Sequence, residues 1–479
     1  MTPALETFDM QGLVARAYGQ LPYARYLLCA VRDPAAARAW LGQVAPGVSN
    51  ASRRDEGCGL IVAFTFAGLA AIGLDDDALA TFPRPLQEGM VTDHRSRILG
   101  DVGPNSPDRW RWGSPGQPAI HVLIAIYAPD EAELEREHSE RSAAFAGALS
   151  LVADPIDGLL TTTGFEHFGF ADGLSQPVIK GWPRRTASVR PPAPPPPAKW
   201  EEVNPGEVVL GYADNYGKPA RGPTVAAAAD PAGILPAPDW ASGRRHLGHN
   251  GSFLVFRQLA QDVPAFRRFV RSASEASAAR GESLSPEKVG AKMVGRWPSG
   301  ASLVNFPDTD PGHAGTNDFG YHEHDQGGFR CPGGAHVRRS NPRDSSAENP
   351  EKSLAATMNH RILRRGRPYG LPLVDPPTQP GEEEGAERGL LFLCLNTDFE
   401  RQFEFVQHTW MENPFFAGLC DEVDPVVGSQ PDGGGTFKIP DRPVRRRLTG
   451  VPSFVSTKGG AYLFLPGIRA LHYLATLKG

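Results

Sequence analysis

Apolar and polar positions along the chain follow two spacings, one of strands and one of helices. Arg25 to Val31 is a short apolar run that reads as a strand. Asp33-Pro34, a helix-start signal, and an alanine-rich stretch to Val44 read as a helix after it. Leu60 to Phe66 and His121 to Tyr127 read as further strands, and Asp130 to Leu149, rich in Glu and Ala, as a helix. The second half repeats the style. Gly251 to Leu259 is a strand, Val263 to Ser274 a helix with apolar residues at helical spacing, Gly389 to Asn396 a strand, Phe399 to Trp410 a helix and Ala461 to Leu465 a late strand. Strands interleaved with helices and separated by long loops predict an α+β fold, with helices packed on antiparallel sheet.

A proline-rich stretch divides these halves. Arg184 to Trp200 contains Pro191, Pro192 and the run Pro194 to Pro197, which excludes helix and sheet interior and predicts an exposed, extended excursion. The 479 residues exceed one compact core. The expected organisation is therefore an N-terminal unit over residues 1–183, a linker over 184–205 and a C-terminal unit over 206–479.

Composition narrows the function classes. Lys plus Arg total 49 against 54 Asp plus Glu, a formal charge of −5, and no basic stripe stands out, so no nucleic-acid partner is expected. Leu60 to Leu74 is the most apolar segment, but it is short and glycine-broken, so no membrane span is expected. Met1 to Arg16 carries Glu6 and Asp9 and does not read as a leader. Cys29, Cys58, Cys331, Cys394 and Cys420 are odd in number and scattered, which predicts free thiols in a reducing compartment. The expected location is cytoplasmic. The short charge runs Glu382 to Glu384 and Arg445 to Arg447 read as solvated loops.

Three segments carry candidate chemistry. Gly164-Phe165-Glu166-His167-Phe168-Gly169-Phe170-Ala171-Asp172-Gly173 ends in an acid after three phenylalanines and between glycines. Glycines allow close backbone approach to a flat ligand, and an acid in a dry wall is poised for proton transfer. A tight turn in which Asp172 satisfies backbone donors explains the same pattern. In Cys331-Pro332-Gly333-Gly334-Ala335-His336-Val337-Arg338-Arg339-Ser340-Asn341-Pro342-Arg343, small residues leave room beside the imidazole, and Arg338, Arg339 and Arg343 suit acidic groups. A core or surface histidine is the ordinary alternative. The third, His360-Arg361-Ile362-Leu363-Arg364-Arg365-Gly366-Arg367-Pro368-Tyr369-Gly370, sets arginines beside apolar residues and has surface exposure as its alternative.

Together these segments resemble the dye-decolourising peroxidase family. Gly169 to Gly173 matches the family's G-x-x-D-G, Cys331 to Arg343 resembles the proximal-histidine segment of its longer members, and Ile362 to Gly370 resembles the distal-arginine segment. Flanking stretches agree, among them Gly206 to Tyr212, Gly251 to Arg257 and Lys292 to Pro298. The resemblance covers roughly Leu28 to the C-terminus. The proline run and the stretch Ser272 to Pro298 are similar to the extended loops of the larger subgroup.

The resemblance implies two ferredoxin-like units, antiparallel sheets with packed helices, in the dimeric α/β-barrel-like superfamily. It further implies one haem b per chain, with His336 as the iron ligand and Gly169, Phe170, Gly173, Arg338 and Arg343 as cofactor contacts. Asp172 and Arg364 are the implied catalytic residues, acting on hydrogen peroxide, with aromatic compounds as reducing substrates. Arg364 is chosen over Arg361 and Arg365 because it follows Ile362-Leu363. Asn396 or Asp398 is the expected acceptor for the second nitrogen of His336, and Tyr369 the first candidate for a surface electron relay. Monomer and homodimer both stay open.

Two other readings of the same residues compete. His336 would equally serve a haem-handling or haem-sensing protein with incidental peroxidase activity. Tyr321-His322-Glu323-His324-Asp325 offers a non-haem metal site if His322 and His324 share one side of a strand.

Overall fold

A computed structural model describes residues 4–53, 57–160, 164–182, 200–279, 281, 284–371 and 387–478. The proline run 191–197 and the acidic run 382–384 lie outside the described residues.

The first half builds β1 (Tyr23–Val31), α1 (Pro34–Val44), β2 (Gly59–Phe64), β3 (Val122–Ala128), α2 (Glu131–Phe145), β4 (Leu149–Leu151) and β5 (Ile156–Leu159). Side-chain caps start its helices. The Asp33 carboxylate accepts from the Ala35 and Ala36 N–H groups, and Asp130 accepts from Glu133 N–H. The second half builds β6 (Ser252–Gln261), α3 (Val263–Ala278), α4 (His336–Ser340), β7 (Leu363–Arg364), β8 (Arg367–Gly370), β9 (Arg388–Asn396) and β10 (Val455–Leu465). Asp262 caps α3, whose buried Val263, Phe266, Val270, Ala273 and Ser277 recur at the three- and four-residue spacing of one helix face. The stretch expected as a helix after β9 is wider-wound, π-helical over Glu400–Glu404 and Val406–Met411.

All strand pairs within the large sheet are antiparallel, and the order is β7-β9-β6-β10-β2-β3-β1-β4, with β8 beside β9 and β5 beside β1. Within the first half the order is β4-β1-β3-β2, with α1 after the first strand and α2 after the third. Counting β7 and β8 together as a second strand, the later half repeats that order as β10-β6-β9-β7/β8. Each half is therefore a ferredoxin-like unit, and β10 lies against β2 through the pair Phe464 and Phe64. The sheet stays open and does not close into a barrel.

Strand alternation gives the sheet two buried faces. Leu27, Cys29, Val62, Phe64, Ile124, Phe253, Val255 and Phe464 turn to one side, under α1 and the π-helical stretch. Tyr26, Leu28, Ile61, Leu123, Leu254, Phe256, Leu393 and Leu463 turn to the other. The first side also carries Arg257, Leu259 and Gln261 of β6, the floor on which the cavity below is built. Among the described residues no helix is long and apolar enough to cross a membrane.

Candidate functional site

One cavity of about 280 Å³ takes its walls from both halves. Asp172, Arg364 and His336, far apart in sequence, all line it.

Asp172 reaches it at the end of a tight hairpin. Gly169 adopts φ +95°, a left-handed conformation costly for other residues, and lets the chain reverse between Phe168 and Phe170. Those rings pack on Phe266 of α3, at centroid distances of 4.7 and 6.3 Å. The Ala171 N–H donates to Pro298 O at 2.9 Å, and Asp172 then faces the cavity. Arg364, on the edge strand β7 opposite Cys394, donates from Nη1 to Asp172 Oδ1 at 3.1 Å. Burial pushes the Asp172 carboxyl upward, but the Arg364 charge, the Gly173 N–H and His336 outweigh it and hold the pKa below the usual 3.8. Asp172 therefore stands as a carboxylate beside a fixed cation.

His336 opens the short helix α4 after the turn Pro332 to Ala335. Its Nδ1 lies 3.0 Å from Asp424 Oδ2. Asp424 is fully buried, and its Oδ1 accepts from the Val426 and Val427 N–H groups, both at 2.9 Å. Burial opposes both charged forms, yet the pair prevails: the pKa of His336 is raised and that of Asp424 lowered. With Nδ1 committed, Nε2 is the nitrogen left to bind a ligand in the cavity. The acceptor is thus Asp424, not Asn396 or Asp398. Asp398 instead accepts from Arg401 N–H and caps the π-helical turn. Asp424 sits 88 residues from His336, and its sole sequence signal is an acid inside the apolar run Val423 to Val427.

The cations expected to meet acidic groups divide. Arg343 is buried and lines the cavity. Arg338 points elsewhere: its Nη1 donates to Cys331 O at 2.8 Å and pairs with Asp325, while the guanidinium lies over the Tyr321 ring. Arg339 is also committed, donating to Gly334, Trp410, Asn413 and Glu422 carbonyls. Arg296 and Arg361, not singled out by the sequence, join Arg343 in the wall. Burial lowers all three, Arg343 to about 10 and Arg361 to about 9, with neighbouring arginines adding to the effect. The buried Nε of Arg361 has no partner. Arg343 and Arg296 also donate to Asn317 and to main-chain carbonyls, so Arg361 is the member of the cluster that an anion would complete. Phe170 and Gly173 line the cavity, whereas Gly169 shapes the turn without reaching the wall.

Two further expectations are corrected. Tyr369 is buried, and its hydroxyl donates to Glu387 Oε1 at 3.1 Å, so it is no surface relay. Tyr321–Asp325 is a short helix, not a strand. Residues two apart on a helix diverge by roughly 200°, so His322 and His324 do not share a side. Among the described residues, the one group with metal-ligand spacing is Cys58, Glu133 and Glu137.

The arrangement can hold a flat, dianionic, metal-bearing ligand: an imidazole nitrogen for the metal, buried guanidinium groups for carboxylates, and apolar walls from Phe170, Ile362, Leu390 and Phe392. Haem fits that description, and the partnerless Arg361 Nε is the observation that tests the fit.

No family model matches the chain. A dye-decolourising peroxidase of Exidia glandulosa is 30% identical over 440 residues, spanning 86% of this chain and 74% of the relative. Among solved structures, an ancestral D-type dye-decolourising peroxidase superposes with a TM-score of 0.77 at 28% identity, covering 98% of this chain and 99% of that one. A dye-decolourising peroxidase in complex with 2,6-dimethoxyphenol gives 0.75 at 26% identity, covering 98% and 100%.

Proposed function

This chain belongs to the dye-decolourising peroxidase family, and on that premise we propose which of its residues carry out the reaction. The protein is a haem-dependent peroxidase that reduces hydrogen peroxide and oxidises dyes and phenols. The observation that carries the assignment is that one cavity is lined by His336, backed by the buried Asp424, and by the pair Asp172 and Arg364.

One haem b per chain would be held by His336 at the metal and by Arg343, Arg361 and Arg296 at the carboxylates. When bound, it supplies the two-electron reduction of the peroxide bond and the one-electron oxidations that follow. The protein's part is proton management and electrostatics. The Asp172 carboxylate takes a proton from one peroxide oxygen and returns it to the other, so that the departing oxygen leaves as water. Arg364 holds the carboxylate from one side, donating to Oδ1. Arg364 stabilises the negative charge that builds as the oxygen–oxygen bond lengthens. Asp424 keeps the His336 ring in one tautomer and strengthens it as a donor.

Phenols and other small aromatics are the reducing substrates, in keeping with the dimethoxyphenol complex of a related structure. The five unpaired cysteines support a cytoplasmic location. The test is an absorption spectrum of the haem-supplied protein before and after one equivalent of peroxide. A Soret band that changes rapidly is expected. Asp172→Asn and Arg364→Leu should keep the band and slow its change. Protein without Soret absorbance would remove the reading.

A further inference from the structure

Glu166 opens the hairpin that ends in Asp172 and has no part in the chemistry above, yet it lines the same cavity. Its side chain folds back into the hairpin. Oε2 accepts from Phe168 N–H at 2.8 Å, and Oε1 accepts from Phe170 N–H at 3.0 Å. Its main chain closes the same turn. Glu166 N–H donates to Phe170 O, and Gly169 N–H donates to Glu166 O, both at 2.9 Å. One residue thus makes four hydrogen bonds within a five-residue reversal. A fifth reaches outside: Gln261 at the end of β6 donates from Nε2 to Glu166 Oε2 at 2.7 Å. The hairpin is tied to the sheet by this bond and to α3 by the Phe168 and Phe170 rings.

The adjacent histidine shows what the loop would lack otherwise. His167 turns to the opposite side, where Nε2 lies 2.8 Å from Tyr369 O. Glu166 is therefore the one polar side chain of this hairpin that holds its cavity side before Asp172 is reached. Burial pushes its carboxyl up to about 7, against the pull of its three donors, and the Asp172 charge pushes the same way. The two acids feel each other through the cavity wall.

The geometry points to Glu166 as a positioning residue for Asp172: anchored by Gln261, it fixes the reversal from Phe168 to Phe170 and thereby where the Asp172 carboxylate stands. This rests on the reading that Asp172 moves the peroxide proton. Glutamine is isosteric with glutamate but presents an NH₂ to one of the donors now satisfied, so Glu166→Gln loosens the turn without emptying it. Displacements on the order of 1 Å cost proton-transfer and positioning steps up to about a hundredfold.

The experiment is a double-mutant cycle on the haem-loaded protein, with the rate of peroxide reaction followed at the Soret band. Glu166→Gln should react about tenfold to a hundredfold more slowly than the parent. Combined with Asp172→Asn, it should be no slower than Asp172→Asn alone, because it acts through that residue. Amide hydrogen exchange gives a second readout, independent of turnover. Phe168 and Phe170 should exchange faster in Glu166→Gln and unchanged in Asp172→Asn. A parent-like rate in Glu166→Gln, or slowdowns that multiply in the double variant, overturns the proposal. A parent-like rate in Asp172→Asn overturns it together with the reading it rests on. If Glu166→Gln fails to retain haem, Gln261→Leu takes its place in the cycle, with the same outcomes.

Discussion

His336 presents Nδ1 to Asp424 Oδ2 at 3.0 Å, and the other oxygen of that carboxylate is occupied by two backbone N–H groups. The acid is thereby fixed on both sides and cannot rotate away from the ring. Asp424→Asn keeps the shape and removes the charge. Haem affinity should fall by about 10- to 100-fold, read by titrating the apoprotein with haem. The reduction potential of the bound iron should move upward, because a less basic imidazole favours the ferric state less.

Asp172 and Arg364 set the acid limb of the pH–rate profile. Asp172 has a folded pKa below its ordinary value. Its ionisation therefore favours the folded state above the unfolded pKa, and this contribution is lost as pH falls through the folded one. The peroxide reaction should accordingly hold its rate from neutral pH down to the ordinary carboxylate range. In Arg364→Leu the lowering charge is gone while burial remains. The acid limb should move to higher pH, in addition to the slower rate at the plateau. An unchanged limb in that variant would show that Arg364 does not govern the ionisation of Asp172.

Arg361 makes one side-chain hydrogen bond, from Nη2 to Ser175 O at 3.5 Å, and its buried Nε has no partner. Arg361→Met removes one charge-assisted contact, worth roughly 1.5–3 kcal/mol. Haem should transfer to a competing acceptor protein about tenfold to a hundredfold faster than from the parent. Arg338→Met, by contrast, should lower the stability of the protein, since its guanidinium serves the buried Asp325 and Cys331 and not the cavity.

Arg95 joins the first half to the π-helical stretch of the second. Its Nη1 donates to both oxygens of Glu404 at 2.7 Å, and the Tyr462 hydroxyl adds a third bond at the same distance. Both charged side chains are buried. Arg95→Met strands the Glu404 charge and should destabilise the protein by about 3–5 kcal/mol, measured by denaturant unfolding of the haem-loaded form.

Tyr369→Phe should oxidise bulky dyes at the parental rate. The hydroxyl it removes is inside the protein, bonded to Glu387. A slower variant would restore the tyrosine to the electron path.

What could be read along the chain was local. Leu60 to Phe66 became a strand to within two residues, the late strand read from Ala461 in fact begins at Val455, and Asp33 and Asp130 marked helix starts because capping depends on neighbours in sequence. His336, Asp172 and Arg364 could be picked out because each sits in a motif of its own. Their partners could not. Asp424, Arg296 and Arg361 acquire roles only when loops from separate parts of the chain meet: Arg361 shares one segment with the preferred Arg364, Arg296 lies unmarked in a flanking stretch, and Asp424 shows only as an acid in an apolar run. Arg338 misled for the converse reason: it is two residues from His336 in sequence, but its guanidinium turns to Asp325 and Cys331, away from the cavity. The His322 and His324 spacing misled because an alternating pattern has meaning on a strand and none on a helical turn.

The order of strands in the sheet places a demand on how the chain comes to be made. β10, the last strand in chain order, lies between β6 and β2, and among the described residues its pairing with β2 is the hydrogen-bonded junction of the two half-sheets. It also contributes Val455 and Thr457 to the cavity wall. A polypeptide growing from its N-terminus therefore carries two separate half-sheets and an unfinished pocket until those residues emerge. Cofactor capture is then a late event in the life of each molecule, and premature termination ahead of Val455 leaves a product that neither joins its half-sheets nor completes its pocket.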